Sequence, residues 1–218
     1  MPDDLAHAGP ATLVRALGTT DYEVTWGAMQ AFTAARDAHS PDEVWLTEHR
    51  AVYTLGLAGR MQHVLRDNGI AVRKVDRGGQ VTYHGPGQLI VYLMIDLKRR
   101  ALGVRSMVRA LEGGVIDWLS GFGVAAHARE RAPGVYVRDD RGECKIAALG
   151  LRVRNGCTYH GLSVNLSMDL APFDDIDPCG YPGLRVTQLS AFAHAPSVES
   201  AGKSLTPRLL EHIARVHR

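Results

Sequence analysis

Between residues 21 and 38, Tyr22, Trp26, Met29 and Phe32 recur every three or four positions, the spacing of one buried helix face. A longer stripe, Val104, Met107, Val108, Leu111, Val115, Trp118, Leu119 and Phe122, predicts a second helix. Between them the pattern shortens. Val44-Trp45-Leu46, Tyr53-Thr54-Leu55-Gly56, residues 70–75 and residues 88–97 read as strands, with His49 on the turn between the first two. GVYVR, CKIAALGLRVR and TYHGLSVNLSM then form a meander, broken at Asp139-Asp140-Arg141-Gly142 and at Asn155-Gly156. Asn-Gly is the favoured centre of a two-residue hairpin turn. It sets Arg154 opposite Cys157, Gly150 opposite Gly161 and, if pairing runs on, Lys145 opposite Leu166. A closing helix is expected with Thr206 as N-cap and Pro207 in its first position. Helices separated by hairpin-linked strands predict an α+β fold. With no repeat or linker, the 218 residues suit a single domain over 1–218.

Hydrophobic residues at 45% and charged residues at 22% are ordinary for a globular protein, and a net charge of +2 argues against a general nucleic-acid role. Local cationic clusters remain: Lys98-Arg99-Arg100, Arg105 and Arg109, Arg129 and Arg131, Arg152 and Arg154. They are either solvated surface or docking points for an acidic partner. MPDDLAHAGPATLVRAL begins with acids and lacks a basic region followed by an apolar core, so it does not read as a signal peptide. No run approaches the roughly 18 apolar residues needed to span a bilayer. Cys144, Cys157 and Cys179 form no C-x-x-C, which argues against disulfide and zinc frameworks and suits a reducing cytoplasm.

The chemistry begins at residues 77–97, RGGQVTYHGPGQLIVYLMIDL, where four glycines and a histidine crowd the mouth of an apolar strand. Neither phosphate-loop spacing can be read here, so a ligand is expected along the strand rather than on a helix N-terminus. Facing glycines 150 and 161 leave a bare patch of sheet, either a crowded bend or the approach of a ligand. Of the thiols, Cys157 sits just past the Asn-Gly turn and is expected to be exposed. Cys144 adjoins Lys145, but successive strand side chains point to opposite faces. Cys179 lies between Pro178 and Gly180, with Pro182-Gly183 close behind, in a stiff loop that presents a small side chain. It is the candidate nucleophile. A thiol needs a nearby cation to react as thiolate near neutrality. His49, His84 and His160 are available, and so is Lys145, one of only four lysines, set among Ile146, Ala147, Ala148 and Leu149. The residues alone therefore point to a thiol enzyme with an apolar channel.

RGGQVTYHGPGQLIVYLMIDL, ECKIAALGLRV, YHGLSVNLSMDL and DPCGYPGL, in this order, resemble the lipoyl(octanoyl) transferases, the octanoyl-[acyl carrier protein]:protein transferases of lipoate biosynthesis. The match runs from about His49 to Leu189. It implies a mixed, largely antiparallel sheet flanked by helices, similar to the catalytic domains of biotin and lipoate protein ligases. It implies a cytoplasmic enzyme that takes octanoyl from octanoyl-acyl carrier protein, holds it on a cysteine, and delivers it to a lysine. The acceptors would be lipoyl domains of 2-oxoacid dehydrogenase complexes and the glycine cleavage H protein. Neither ATP nor a metal nor another cofactor is required, and neither nucleic acid nor membrane is a partner. The matching catalytic residues are Cys179 and Lys145. The matching substrate-binding stretches are Arg77, Gly78, Gly79, Gln80, Val81, Thr82, Tyr83 and His84, then Ala148, Leu149 and Gly150, then Gly161, Leu162 and Ser163. Ala148 and Ser163 fall where the family varies among small residues. Two rivals stand beside this reading: an ATP-dependent ligase on the same fold, and a non-enzymatic binder of carrier domains. A cysteine in DPCGYPG argues against the first, and Cys179 together with Lys145 against the second.

Overall fold

A computed structural model describes residues 12–216, so the first part of the acidic N-terminal stretch lies outside the described residues. In chain order the elements are β1 (Leu13–Thr20), α1 (Tyr22–Ala35), β2 (Glu43–His49), β3 (Val52–Leu55), β4 (Val72–Lys74), β5 (Val81–His84) and β6 (Gln88–Met94). There follow α2 (Val104–Ser120), β7 (Ala126–Ala128), β8 (Gly134–Asp139), β9 (Gly142–Arg154), β10 (Cys157–Asn165) and α3 (Val198–Arg215). The larger sheet has the order β1-β2-β6-β10-β9-β8-β7, and the smaller one β4-β3-β5. Among the named strands, only β1–β2 and β3–β4 pair in parallel. The expected α+β, largely antiparallel architecture is present.

Its centre is β6. Leu89, Val91 and Leu93 face a core shared with α2 and α3, whereas Ile90, Tyr92 and Met94 face one shared with Met29 of α1. Burial on both faces explains why this strand reads as an unbroken apolar run. The small sheet has its own core of Tyr53, Leu55, Val81, Tyr83, Phe173 and Ile176, and carries residues 77–80 toward the large sheet.

Four expectations need correction. His49 is the last residue of β2 and fully buried, not on a turn. Its Nε2 lies 2.6 Å from the Tyr92 hydroxyl. Cys157 is buried at the start of β10, because the turn folds back onto Lys98 and leaves the thiol beneath it. The last helix begins at Val198, where the Ser197 hydroxyl accepts the Ser200 N–H at 3.2 Å. Thr206 instead sits inside the helix, donating to the Gly202 carbonyl at 2.7 Å. Pro207 denies the preceding turn one N–H, yet the helix continues because Ala201, Leu205, Leu209 and Ile213 form a buried stripe. Finally, the hairpin keeps Arg154 opposite Cys157 and Gly150 opposite Gly161, but its pairing ends at Ala147–Val164. Lys145 does not meet Leu166.

Candidate active site

What Lys145 meets instead creates the site. Opposite β8 the register slips: Val135 pairs with Ala147 and Tyr136 with Lys145, so Ile146 is a bulged extra residue. Bulges re-aim a strand, and here Cys144 and Ile146 stay in the core while β9 parts from β10. Lys145 then donates its N–H to the Arg185 carbonyl at 2.8 Å and accepts from the Thr187 N–H at 2.9 Å. The segment after the cysteine loop is thereby stitched alongside Lys145.

The loop itself is a tight turn, Pro178–Gly180. Cys179 stands at φ 59, ψ 15, a left-handed conformation costing a non-glycine residue about 1–2 kcal/mol. Such strain persists only where the surroundings enforce it. Here the Asp177 N–H donates to the His63 carbonyl at 2.8 Å, His63 Nδ1 lies 3.0 Å from the Asp177 carboxylate, and the Gly180 N–H returns to the Asp177 carbonyl at 2.9 Å. Held this way, half-buried Cys179 presents Sγ 3.1 Å from Lys145 Nζ. Lys145 also donates to the Pro133 carbonyl at 3.1 Å and lies 5.0 Å from the Tyr136 ring centroid. Gly134 is what lets it pass. A Cβ there would fall 2.8 Å from Lys145 Cε and 2.8 Å from the Ala147 carbonyl oxygen. The Gly134 N–H is held by the buried Glu112 carboxylate of α2 at 3.0 Å.

Burial alone would lower the Lys145 pKa, but the charges of Cys179 and Tyr136 outweigh it and raise it above its ordinary value. Burial raises the Tyr136 phenol and the Glu112 carboxyl, with Lys145 opposing in both cases. It also raises the thiols of Cys144 and Cys157, keeping both protonated and inert. Sequence reasoning missed Tyr136 and Glu112. The pairing of Tyr136 with Lys145 depends on the bulge at Ile146, and Glu112 comes from a distant helix.

Beside the thiol opens a cavity of about 380 Å³. Its lining includes Lys145 and Cys179, Arg77, Gly78, Gly79, Gln80, Val81, Thr82 and His84, Ala148, Leu149 and Gly150, and Gly161, Leu162 and Ser163. Tyr83 is the exception among the residues expected here. Strand alternation on β5 turns it away from Thr82 and His84, into the core with Phe173. From β6, Ile90 and Tyr92 line the cavity.

Arg77 is buried without a carboxylate partner among the described residues. Its guanidinium donates to Thr54 Oγ1 at 2.8 and 3.0 Å, to the Thr54 carbonyl at 2.5 Å, to the Gln80 carbonyl at 2.7 Å and to the Gly78 carbonyl at 2.8 Å. It places a positive charge in the cavity wall. His84 is satisfied on both nitrogens, by Gln88 at 2.7 Å and Thr54 at 3.3 Å, and burial takes its pKa down to about 3. It is therefore neutral, and no activator of the thiol. Burial lowers His160 as well, against the opposing pull of Asp76. His160, itself at φ 59, donates from Nε2 to Asp76 at 2.9 Å. Burial favours the protonated Asp76 carboxyl, but donors from His160, Tyr159 and Trp26 hold its pKa far below the usual range.

The facing glycines do not leave open space. A Cβ on Gly161 would fall 2.0 Å from the Val91 carbonyl oxygen, and one on Gly150 3.0 Å from that of Gly78. Protein backbone fills the patch expected to be bare. Gly161→Val should therefore cost stability, by about 1–3 kcal/mol of overpacking. Gly150→Val should chiefly shift the Arg77–Gly78 loop, with a smaller loss of stability than Gly161→Val. Thermal melts of the two variants check this.

The lipoyl protein ligase A/B catalytic domain family matches residues 21–210 of this chain. An octanoyltransferase of Aromatoleum aromaticum is 58% identical over 200 residues, covering 92% of this chain and 85% of the relative. One of Dechloromonas aromatica is 54% identical, covering 92% and 96%. Among solved structures, a bipartite lipoate protein ligase from Thermoplasma acidophilum superposes with a TM-score of 0.75 at 17% identity, covering 94% of this chain and 84% of the other. A biotin protein ligase from Aquifex aeolicus gives 0.56 at 9% identity, covering 95% and 71%. The structural likenesses show the shared fold.

Proposed function

Because the chain belongs to the octanoyltransferases, on a lipoyl protein ligase A/B catalytic domain, we propose that it moves octanoyl from an acyl carrier protein to lipoyl-domain lysines through a thioester on Cys179. The observation that carries this reading is the 3.1 Å approach of Lys145 Nζ to Cys179 Sγ beside an apolar-walled cavity.

The chemistry closes on itself. In the resting site Lys145 is an ammonium and Cys179 the thiolate it stabilises. Sγ attacks the donor thioester carbonyl, forming octanoyl-S-Cys179 and expelling the phosphopantetheine thiolate, which takes a proton from Lys145. Thioester exchange is nearly neutral in energy, so no ATP is consumed. Acylation also removes the negative charge that kept Lys145 protonated. Burial then acts against the ammonium with one opposing charge fewer, so Lys145 gives up its proton more readily beside the new thioester. An acceptor lysine arriving as free amine attacks the carbonyl and gives its proton to Lys145. The amide forms, Cys179 leaves as thiolate, and the starting pair is restored.

Carbonyl oxygen develops negative charge in both steps, and preorganised donors facing it lower the barrier. Arg77 adds a fixed positive charge to the same cavity wall. A cytoplasmic location, and lipoyl domains of 2-oxoacid dehydrogenases and the H protein as acceptors, complete the reading. It is tested by mixing octanoyl-acyl carrier protein and a lipoyl domain with the protein, without ATP. Octanoyl-lysine should accumulate. A requirement for ATP, with pyrophosphate release, would instead identify a ligase.

Tyr136 sets the electrostatics of this pair without accepting the acyl group. Tyr136→Phe keeps the ring beneath Lys145 and removes the hydroxyl, so we expect a loss of a few-fold in turnover with little change in stability. Tyr136→Leu, which removes the ring as well, should lose more. Comparing kcat for the two variants checks the order.

A further inference from the structure

The cationic clusters do not fare alike in the fold. Arg99 and Arg100, with Arg36, all turn onto the buried carboxylate of Asp42, each at 2.7 Å. Arg129 pairs with Glu143 at 3.1 Å. The Lys98 stem packs over the turn at Gly156. These charges have structural employment.

Arg105, Arg109 and Arg131 do not. All three are exposed, and none has a carboxylate within ion-pair distance among the described residues. They also share a place. Val104 and Val108 of α2 line the cavity, as do Arg131, Ala132 and Pro133. Arg105 and Arg109 follow those valines one helical turn apart, and the charge of Arg109 reaches Glu112, which holds Gly134. The three guanidiniums therefore edge the same side of the mouth, with Glu130 the one exposed acid in the adjoining loop. The other side carries exposed apolar groups, with exposed Arg60 among them: Ala58 and Tyr181 line the cavity, and Leu57, Met61 and Tyr181 are 60%, 59% and 50% exposed.

Building on the proposed donor, we infer that Arg105, Arg109 and Arg131 form the landing site for the acidic surface of the acyl carrier protein. Three like charges beside one another repel unless an anionic partner satisfies them, and among the described residues no carboxylate pairs with any of the three. A cationic rim raises the local concentration of an anionic partner and speeds its arrival without touching the chemical step. Cys179 and Lys145 remain the catalytic residues. The rim acts on donor capture alone.

The test is the double variant Arg105→Gln, Arg109→Gln, which leaves the cavity-lining Arg131 in place, compared with the parent and with the charge-preserving double lysine variant. Acylation of Cys179 is followed with three donors: octanoyl-acyl carrier protein, octanoyl-phosphopantetheine and octanoyl-pantetheine. At low salt the glutamine variant should show a KM for the carrier protein raised about 10-fold or more, within the range of electrostatic steering. Its kcat should be unchanged, its salt dependence flattened, and both small donors used as by the parent. The lysine variant should stay near the parent. An unchanged KM and salt dependence with the carrier protein would overturn the inference. An equal loss with octanoyl-phosphopantetheine would overturn it in favour of a phosphate site, and an equal loss with octanoyl-pantetheine in favour of damage to the cavity. If the parent acylates from the small donors but not from the carrier protein, the proposed donor falls and this surface with it.

Discussion

Cys179→Ala should abolish octanoyl transfer, whereas Cys144→Ala and Cys157→Ala should keep activity within a few-fold of the parent. The difference is positional. Cys179 is half-buried at the cavity and 3.1 Å from an ammonium. Cys144 is completely buried in the main core and Cys157 lies under the hairpin turn, both with thiols pushed toward the protonated form by burial. Removing either buried sulfur should appear as a stability loss of about 1 kcal/mol, the common size for a core truncation. A thermal melt of each variant beside a transfer assay separates the two kinds of loss. Transfer surviving in Cys179→Ala, or vanishing in a well-folded Cys157→Ala, would move the nucleophile elsewhere.

Lys145→Met should lower turnover by about 10²–10⁴-fold, the usual contribution of a positioned acid–base group. Methionine retains an apolar stem, so packing is largely preserved. Iodoacetamide alkylation of Cys179 near neutral pH should slow in the same variant, because the cation beside the thiolate is gone. Lys145→Arg should recover much of the alkylation rate but little turnover, since a guanidinium stays protonated and cannot take the amine proton. The two half-reactions should also separate with pH. Acylation uses the ammonium form of Lys145 and should weaken only at high pH, where the raised pKa is finally passed. Transfer to the acceptor uses the neutral form and should strengthen as pH rises. Pre-steady-state rates for each half-reaction, measured from pH 6 to 10, decide this. Unchanged alkylation in Lys145→Met would leave the thiol to another cation, and Arg77 would be the remaining charge in the cavity wall.

Part of this site was legible in the chain because it depends on local rules. Asn155-Gly156 predicts its hairpin, and with it the pairing of Gly150 with Gly161. The apolar run after Gly87 predicts a strand, and β6 is there, although its burial on both faces is seen only in the fold. Pro178-Cys179-Gly180 predicts a stiff loop, though not that Cys179 itself would take the left-handed conformation. What stayed hidden depends on interruptions of those rules. A single bulged residue, Ile146, brings Lys145 opposite Tyr136 and lets it join the strand-like segment around Val186. No periodic pattern announces one extra residue in a strand. The strand β1 went unread because it is a parallel edge strand with mostly exposed side chains, bent at Gly18. Glu112 and Asp76 act over long separations, 22 residues to Gly134 and 84 to His160, which sequence spacing does not reveal.

The central claim is that octanoyl rests on Cys179 between donor and acceptor. The parent protein, mixed with octanoyl-acyl carrier protein and no acceptor, should gain the mass of one octanoyl group. Peptide mapping under mildly acidic conditions should place it within the peptide containing Asp177-Pro178-Cys179-Gly180. Adding a lipoyl domain should then discharge it as octanoyl-lysine at a rate no slower than steady-state turnover. An adduct mapped to Cys144 or Cys157, or transfer at full rate with no acyl-enzyme formed, would contradict the account.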